Sequence, residues 1–187
     1  ALEQWLCQMV SSKIKVFAPV HDGEKIDFRL LSSGDEVAAG YVQTTQSAKR
    51  FAFPKAERLF SYRKEGKDVT LQERNLNDFP EIVLWKVRPC DAVGFGPLTG
   101  IFNWDYKDNL YNARRAKMAL VSFSCTQCDE SCFCTSVHGG PGNTEGSDIQ
   151  VTELPDQSAL VEVLTTKGRA LVERFMKEPV PADGIDK

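Results

Sequence analysis

The sequence predicts an α/β fold in which helices flank a mixed sheet and a long cysteine-rich loop joins two of its elements. Hydrophobic residues make up 42% of the 187 residues and aromatic residues 10%, which is typical of a globular chain with a packed core. From Glu81 onward, compact apolar runs alternate with segments of helical periodicity, as in sheets covered by helices. Four of the six cysteines lie between Cys125 and Cys134, among turn-forming residues.

The N-terminal residues, 1–80, give the weaker signals. Apolar residues at helical spacing predict a helix over residues 2–12, and Cys7 is expected to pack on its apolar stripe. Short extended runs separated by turn signals predict four strands paired as two hairpins, over residues 15–20, 25–32, 58–63 and 68–72.

The C-terminal half gives a clearer pattern. Short apolar runs predict strands over residues 81–87, 118–124, 149–154 and 159–165. Helical periodicity predicts helices over residues 106–117 and 168–176. Asp91 fits an N-cap after the first of these strands, although the glycines that follow keep any helix there short. We expect residues 1–177 to form a single domain and residues 178–187, with two prolines, to form a linker or tail.

Charge and composition argue against several classes of function. The formal net charge is −3 and no dense basic run is present, which argues against nucleic-acid binding. No apolar run approaches the ~20 residues of a membrane span. The chain opens on Ala1 without a signal-peptide pattern, as expected of a processed start or a fragment. We therefore expect a cytoplasmic, reducing location, where grouped cysteines indicate a metal or redox site rather than structural disulfides.

The spacing of the grouped cysteines favours a metal site. Cys125, Cys128, Cys132 and Cys134 are close enough in sequence for their thiolates to converge, and zinc on all four is feasible. An iron–sulfur cluster also takes four thiolates and has room for a ligand from a distant segment. Cys90 is a candidate for that ligand, because it lies between a predicted strand and a predicted helix start, where free backbone N–H groups favour a thiolate. Spacing alone fits equally well with Cys90 as a small buried residue at a strand end.

Several motifs along the C-terminal half also match a known family. The sequence resembles the N-terminal domain of the iron–sulfur β subunit of cytoplasmic sulfhydrogenases, a domain shared with an electron-transfer component of anaerobic sulfite reductase. The resemblance is strongest over residues 81–171. The matching stretches are Arg88-Pro89-Cys90-Asp91, Arg114-Arg115, Cys125 with Cys132-Phe133-Cys134, and the loop from Thr135 to Pro141.

The resemblance implies one 4Fe-4S cluster bound by Cys90, Cys125, Cys132 and Cys134, and it leaves Cys128 spare. Local spacing instead offers Cys128 as the fourth ligand, and we expect Cys90 in that role with Cys128 as the alternative. It implies a loop that binds this cluster and an electron-transfer role within a multi-subunit oxidoreductase, without bond chemistry of its own. The implied partners are a flavin- and NAD(P)-binding subunit, a hydrogenase or reductase subunit, and a ferredoxin-like module.

Two features depart from the family. His138 stands where the family often has glycine. Its ring could donate a hydrogen bond to a cluster sulfur, or His138 could be an ordinary loop residue that faces water. Family members usually continue into a ferredoxin-like segment with further cysteine motifs, which this sequence does not contain. We therefore expect a fragment or a short form whose further clusters lie on another chain.

Three other functions fit the same cysteines. A zinc-stabilised structural or interaction module would bind zinc through Cys125, Cys128, Cys132 and Cys134, and Cys90 would not be needed. A thiol redox sensor would pair Cys128 reversibly with a neighbouring cysteine and bind no metal. A scaffold that has lost its cluster is the third alternative. The metal content of the protein distinguishes these functions from the iron–sulfur hypothesis.

Overall fold

Eight strands and five α-helices make up the fold in the computed structural model, which describes residues 2–156 and 158–176. The strands are β1 (Lys15–Asp22), β2 (Lys25–Leu30), β3 (Phe60–Glu65), β4 (Asp68–Glu73), β5 (Ile82–Val87), β6 (Met118–Phe123), β7 (Ile149–Glu153) and β8 (Ala159–Val163). The helices are α1 (Leu2–Val10), α2 (Pro89–Val93), α3 (Phe95–Ile101), α4 (Asn109–Ala116) and α5 (Thr166–Phe175).

Six of the strands form one mixed sheet in the order β2-β1-β5-β6-β7-β8. The four central strands, β1, β5, β6 and β7, run parallel to one another. The edge strands β2 and β8 each pair antiparallel with the strand beside them. The sheet with its helices confirms the predicted mixed α/β fold.

Helices cover both faces of this sheet, which explains why the central strand β6 is buried at every position. Along β6, Ala119 and Val121 pack in the cluster that α1 and α5 complete, whereas Met118 and Leu120 pack with α2, α3 and α4. The alternation follows from the two-residue period of a strand. The core therefore has two halves, one on each face.

The connection from β6 to β7 is unusual for parallel strands. It comprises residues 124–148, and within this fully described stretch the only helical element is a short 3-10 turn, Cys134–Val137. Parallel neighbours need a crossover of a dozen or more residues, usually an α-helix. Here the cysteine-rich loop is itself the crossover.

The hairpin of β3 and β4 stands apart from the main sheet as a two-stranded unit. All of its strand residues are exposed. Four large apolar side chains on one of its faces are each more than half exposed, and these are Phe60, Tyr62, Val69 and Leu71.

Two local expectations were wrong. Asp91 is not an N-cap, because α2 begins at Pro89, whose fixed backbone angle suits the first position of a helix. Cys7 is exposed rather than part of the core. Trp5 and Met9, four residues apart, are the buried positions of α1, and Cys7 lies between them in sequence on a different side of the helix.

Two further findings concern the chain ends and membranes. The predicted tail, residues 178–187, lies outside the described residues. No helix in the described part of the chain combines the length and the apolar character needed to cross a membrane.

Candidate functional site at the carboxyl edge of the sheet

The carboxyl ends of β5 and β6 carry the two cysteines that begin the site. Cys90 follows the last residue of β5, Val87, by three positions, and Cys125 follows the last residue of β6, Phe123, by two. Because β5 and β6 are parallel neighbours, both cysteines lie at the same edge of the sheet. Ligands in α/β sheets commonly bind outside the carboxyl ends of the strands.

A β-bulge changes the direction of β5 just before Cys90. Val83 and Trp85 face α1 and α5, and strict alternation would turn Val87 the same way, yet Val87 packs with the opposite cluster. The register against β6 shifts between Trp85 and Val87, and the intervening Lys86 has a left-handed backbone with φ 61°. Bulges beside functional sites commonly redirect the residues that follow them. This bulge sets the direction in which Arg88 leaves the strand.

Tyr41 lies in the long segment between β2 and β3 and supports the bulge. Its hydroxyl donates a hydrogen bond to the carbonyl oxygen of Lys86. The phenol is 4% exposed, and burial raises its pKa far above the usual range. Arg88 opposes this increase, whereas Asp91, Cys125 and Cys90 add to it. Tyr41 therefore remains a neutral donor beside the thiols.

The cysteine-rich loop is tied to itself by local hydrogen bonds. The backbone N–H of Cys125 donates to the carbonyl of Pro141 at 2.9 Å, which closes the loop at its base. The backbone N–H of Asp129 donates to Cys132 Sγ at 3.4 Å. After the 3-10 turn, His138 is exposed and adopts a left-handed backbone with φ 60°. Its ring faces solvent.

Gly146 brings the returning end of the loop against the helix that carries Cys90. A Cβ atom at this glycine would lie 2.3 Å from the carbonyl oxygen of Ala92 in α2, and φ at Gly146 is +79°. Only glycine fits both the close approach and the left-handed backbone. The loop and α2 are therefore in direct backbone contact.

The thiols at this edge influence one another electrostatically. Burial of its sulfur raises the pKa of the Cys90 thiol, and the charges of Asp91, Cys125 and Cys134 raise it further. The backbone N–H of Asp91 acts in the opposite direction. The Cys90 residue as a whole is exposed, so protein surrounds one side of the sulfur and solvent the other.

Cys125 has a similar environment with one added cation. Burial raises the pKa of its thiol, and Cys134 and Cys132 add to the increase. The positive charge of Arg88 opposes this increase. The four thiols linked in this way are the set that the family resemblance implies: Cys90, Cys125, Cys132 and Cys134. Cys128, the alternative ligand, is exposed on the same loop.

Arg88 is the buried cation of the site. It is 7% exposed, and its guanidinium carbon lies 4.1 Å from the centre of the Tyr41 ring. Its Nε is buried without a hydrogen-bond partner. Sequence reasoning identified Arg88 only as part of a motif, and it missed Tyr41, because no periodicity marks the segment around it.

The chemistry of the donor set, rather than the present placement of its side chains, suits an iron–sulfur group. All six cysteines are free thiols, and thiolates are the ligands that such clusters take. Among the described residues, no three His, Cys, Asp or Glu side chains converge closely enough to hold a metal ion. Metal binding therefore requires the cysteine side chains to turn toward one another, which the irregular backbone of the loop permits.

Comparison with protein-family models, with curated proteins and with solved structures found no match.

Proposed function

We propose that the chain is an electron-transfer domain that binds one 4Fe-4S cluster through Cys90, Cys125, Cys132 and Cys134. The observation that carries the proposal is the parallel pairing of β5 with β6, which brings Cys90 and Cys125 to one edge of the sheet, where the loop with Cys132 and Cys134 begins. Four thiolates are the usual ligands of such a cluster, and its chemistry when bound is the transfer of single electrons.

The cysteines divide into a rigid pair and an adaptable pair. Cys90 is held by α2, and Cys125 closely follows a strand whose residues are all buried, so their backbones have little freedom. Cys132 and Cys134 lie on the loop and its 3-10 turn, where side chains can adjust to a bound group. Such a division lowers the ordering cost of binding while keeping part of the site pre-formed.

The exposure of the site suits electron exchange with a partner protein. Cys90 and Cys132 are exposed, and Cys125 and Cys134 are half-buried, so a docked protein can approach them closely. By the family resemblance, the partners are a flavin- and NAD(P)-binding subunit, a hydrogenase or reductase subunit, and a ferredoxin-like module. The proposed setting is a cytoplasmic oxidoreductase complex.

The test is the metal content of protein purified without oxygen. We expect a brown protein with about four iron and four sulfide per chain and little zinc. Cys90→Ser should lose most of the iron, because it removes one of four ligands. Cys128→Ser is the matched control, since it makes the same substitution at a thiol of the same loop that is not among the four proposed ligands, and it should keep the iron.

Other results would support the rival functions. A colourless protein with one zinc, retained in Cys90→Ser and lost in Cys128→Ser, would replace the proposal with the zinc-stabilised module. A protein without metal even after reconstitution with iron and sulfide would leave the thiol sensor or the scaffold. A reversible disulfide at Cys128, detected by mass spectrometry, separates those two.

A further inference from the structure

Arg88 is a buried cation without a carboxylate counter-charge. Among the ion pairs of the described residues, none involves Arg88. Arg114, which is equally buried, pairs with Glu57 instead. Burying an unpaired charge costs far more than burying a paired one, so an arginine in this position needs an anion.

Tyr41 compensates this charge only in part. The Tyr41 ring lies against the guanidinium and provides a cation–π contact, which stabilises the charge without neutralising it. Cys125, two residues after the end of β6, lies at the same edge of the sheet as Arg88, which directly follows β5. The Nε of Arg88 still has no partner. The neighbouring acid, Asp91, accepts hydrogen bonds from Ser47 and Lys49.

We propose that Arg88 is the counter-charge for an anionic metal–thiolate group held by the four cysteines, and that it raises the reduction potential of that group. This inference rests on the proposed function. Four thiolates around a 4Fe-4S core of charge +2 carry a net charge of about −2, and one added electron makes the net charge about −3. A nearby cation stabilises the more negative state more strongly, so it favours reduction.

Tyr41 is the positioning residue for this charge. Its hydroxyl is fixed to the carbonyl of Lys86 at the bulge, and its ring lies against the guanidinium of Arg88. The bulge, the ring and the cation therefore form one rigid support beside Cys125.

The experiment compares Arg88→Met with Arg115→Met in the full chain reconstituted with iron and sulfide. Arg115 is a matched control, because it is half-buried and its guanidinium lies 5.2 Å from the Phe95 ring, yet it is not among the groups that shift the pKa of Cys90 or Cys125.

The midpoint potential is measured by a dithionite titration followed by electron paramagnetic resonance. We expect a more negative midpoint in Arg88→Met and an unchanged one in Arg115→Met. Arg88→Lys keeps the positive charge but loses the planar stacking on Tyr41. Its midpoint potential should therefore lie between those of Arg88→Met and the wild type.

A second readout uses Co²⁺ alone and needs no iron chemistry. Cobalt binding to thiolates is followed by its visible absorption in the apo-protein. Loss of a group that supports the metal ligands typically weakens affinity by about 10–100-fold, so we expect Arg88→Met to bind Co²⁺ roughly tenfold more weakly. The Arg115→Met variant should match the wild type.

The outcomes separate the two proposals. If the wild type carries the cluster and Arg88→Met has the potential and the cobalt affinity of Arg115→Met, the role of Arg88 is wrong and the proposed function stands. If the protein binds only zinc or cobalt, the electron-transfer function is wrong, and a roughly tenfold loss of cobalt affinity in Arg88→Met still supports the counter-charge. A wild type that takes up neither cluster nor cobalt overturns both. If Arg88→Met fails to fold by circular dichroism, Arg88→Lys supplies the comparison.

Discussion

Two residues beside the cysteines hold a backbone conformation that favours glycine. Lys86 and His138 have φ of 61° and 60°. A left-handed backbone costs an L-residue about 1–2 kcal/mol, so the surrounding contacts must maintain it. Lys86 is held by the bulge in β5 and by Tyr41. His138 ends the turn that carries Cys134, and a glycine there would adopt the same backbone without this cost.

The buried phenol of Tyr41 predicts a specific dependence of stability on pH. Its pKa is raised in the folded protein above the usual value of about 10, so at alkaline pH the unfolded chain loses this proton first. The unfolded state then binds fewer protons than the folded state, and the free energy of unfolding falls as pH rises above about 10. Tyr41→Phe removes this contribution.

Urea unfolding from about pH 7 to about pH 11 measures the effect. Near neutral pH the Tyr41→Phe variant should be less stable by about 1 kcal/mol, because the hydrogen bond to Lys86 is lost. Above about pH 10 the difference from the wild type should narrow by up to about 1.4 kcal/mol per pH unit. Tyr62→Phe, which changes an exposed phenol on β3, is the control. Its free energy of unfolding should follow that of the wild type across the pH range. A constant gap between Tyr41→Phe and the wild type at all pH values would contradict the prediction.

At the scale of elements, the contact between the loop and α2 depends on Gly146. Gly146→Ala would place Cβ 2.3 Å from the carbonyl oxygen of Ala92 and would keep a left-handed backbone at an alanine. The overpacking and the strain together should destabilise the protein by about 2–4 kcal/mol, measured by urea unfolding.

The same loop provides the control for this substitution. A Cβ at Gly142 would meet no atom within 4 Å. Gly142→Ala should therefore change stability by less than about 1 kcal/mol, in either direction. Equal losses in the two variants would mean that the loop does not rest on α2. A reduced iron content in Gly146→Ala alone would further link this contact to the proposed site.

Periodicity predicted the elements well because it is a local property. The strands that follow Glu81 are short and rich in apolar residues, and each is found within a few residues of its predicted bounds. The start of α2 was misplaced, because Pro89 and the preceding bulge determine it rather than a capping side chain at Asp91. Cys7 was misassigned because both faces of α1 carry apolar residues, and only packing selects the buried one.

The site itself was predictable only in part. The spacing of the loop cysteines and the family resemblance indicated which thiols to consider. The parallel pairing of β5 with β6, which brings Cys90 and Cys125 to one edge, is a long-range feature that no local pattern contains. The contact of Arg88 with Tyr41 joins residues 47 positions apart in sequence and was missed for the same reason.

At the scale of the whole molecule, stability should be distributed unevenly. The β1–β2 hairpin belongs to the main sheet and buries Phe28, whereas the β3–β4 hairpin has every strand residue exposed. An isolated two-stranded hairpin is marginally stable in water. We therefore expect its amides to exchange with deuterium by local opening, at least about 100-fold faster than those of β6.

Hydrogen exchange followed by mass spectrometry tests this distribution, and β1–β2 is the internal control. Each hairpin has six paired positions, so the comparison isolates packing from pairing. Similar protection of the two hairpins would show that another surface covers β3 and β4 in solution. If the amides of β3 and β4 exchange fast, replacing residues 60–73 with a short linker should leave the rest of the protein folded.

The crossover between β6 and β7 has a consequence for how this protein can change during evolution. Residues 124–148 carry four of the cysteines and also return the chain to the start of β7. Excising them would remove the thiols and at the same time leave β7, β8 and α5 without a connection long enough to place them in the sheet. If the thiols were no longer needed, a lineage is therefore expected to replace individual cysteines and to keep the length of the loop, so that the crossover would survive at nearly unchanged size.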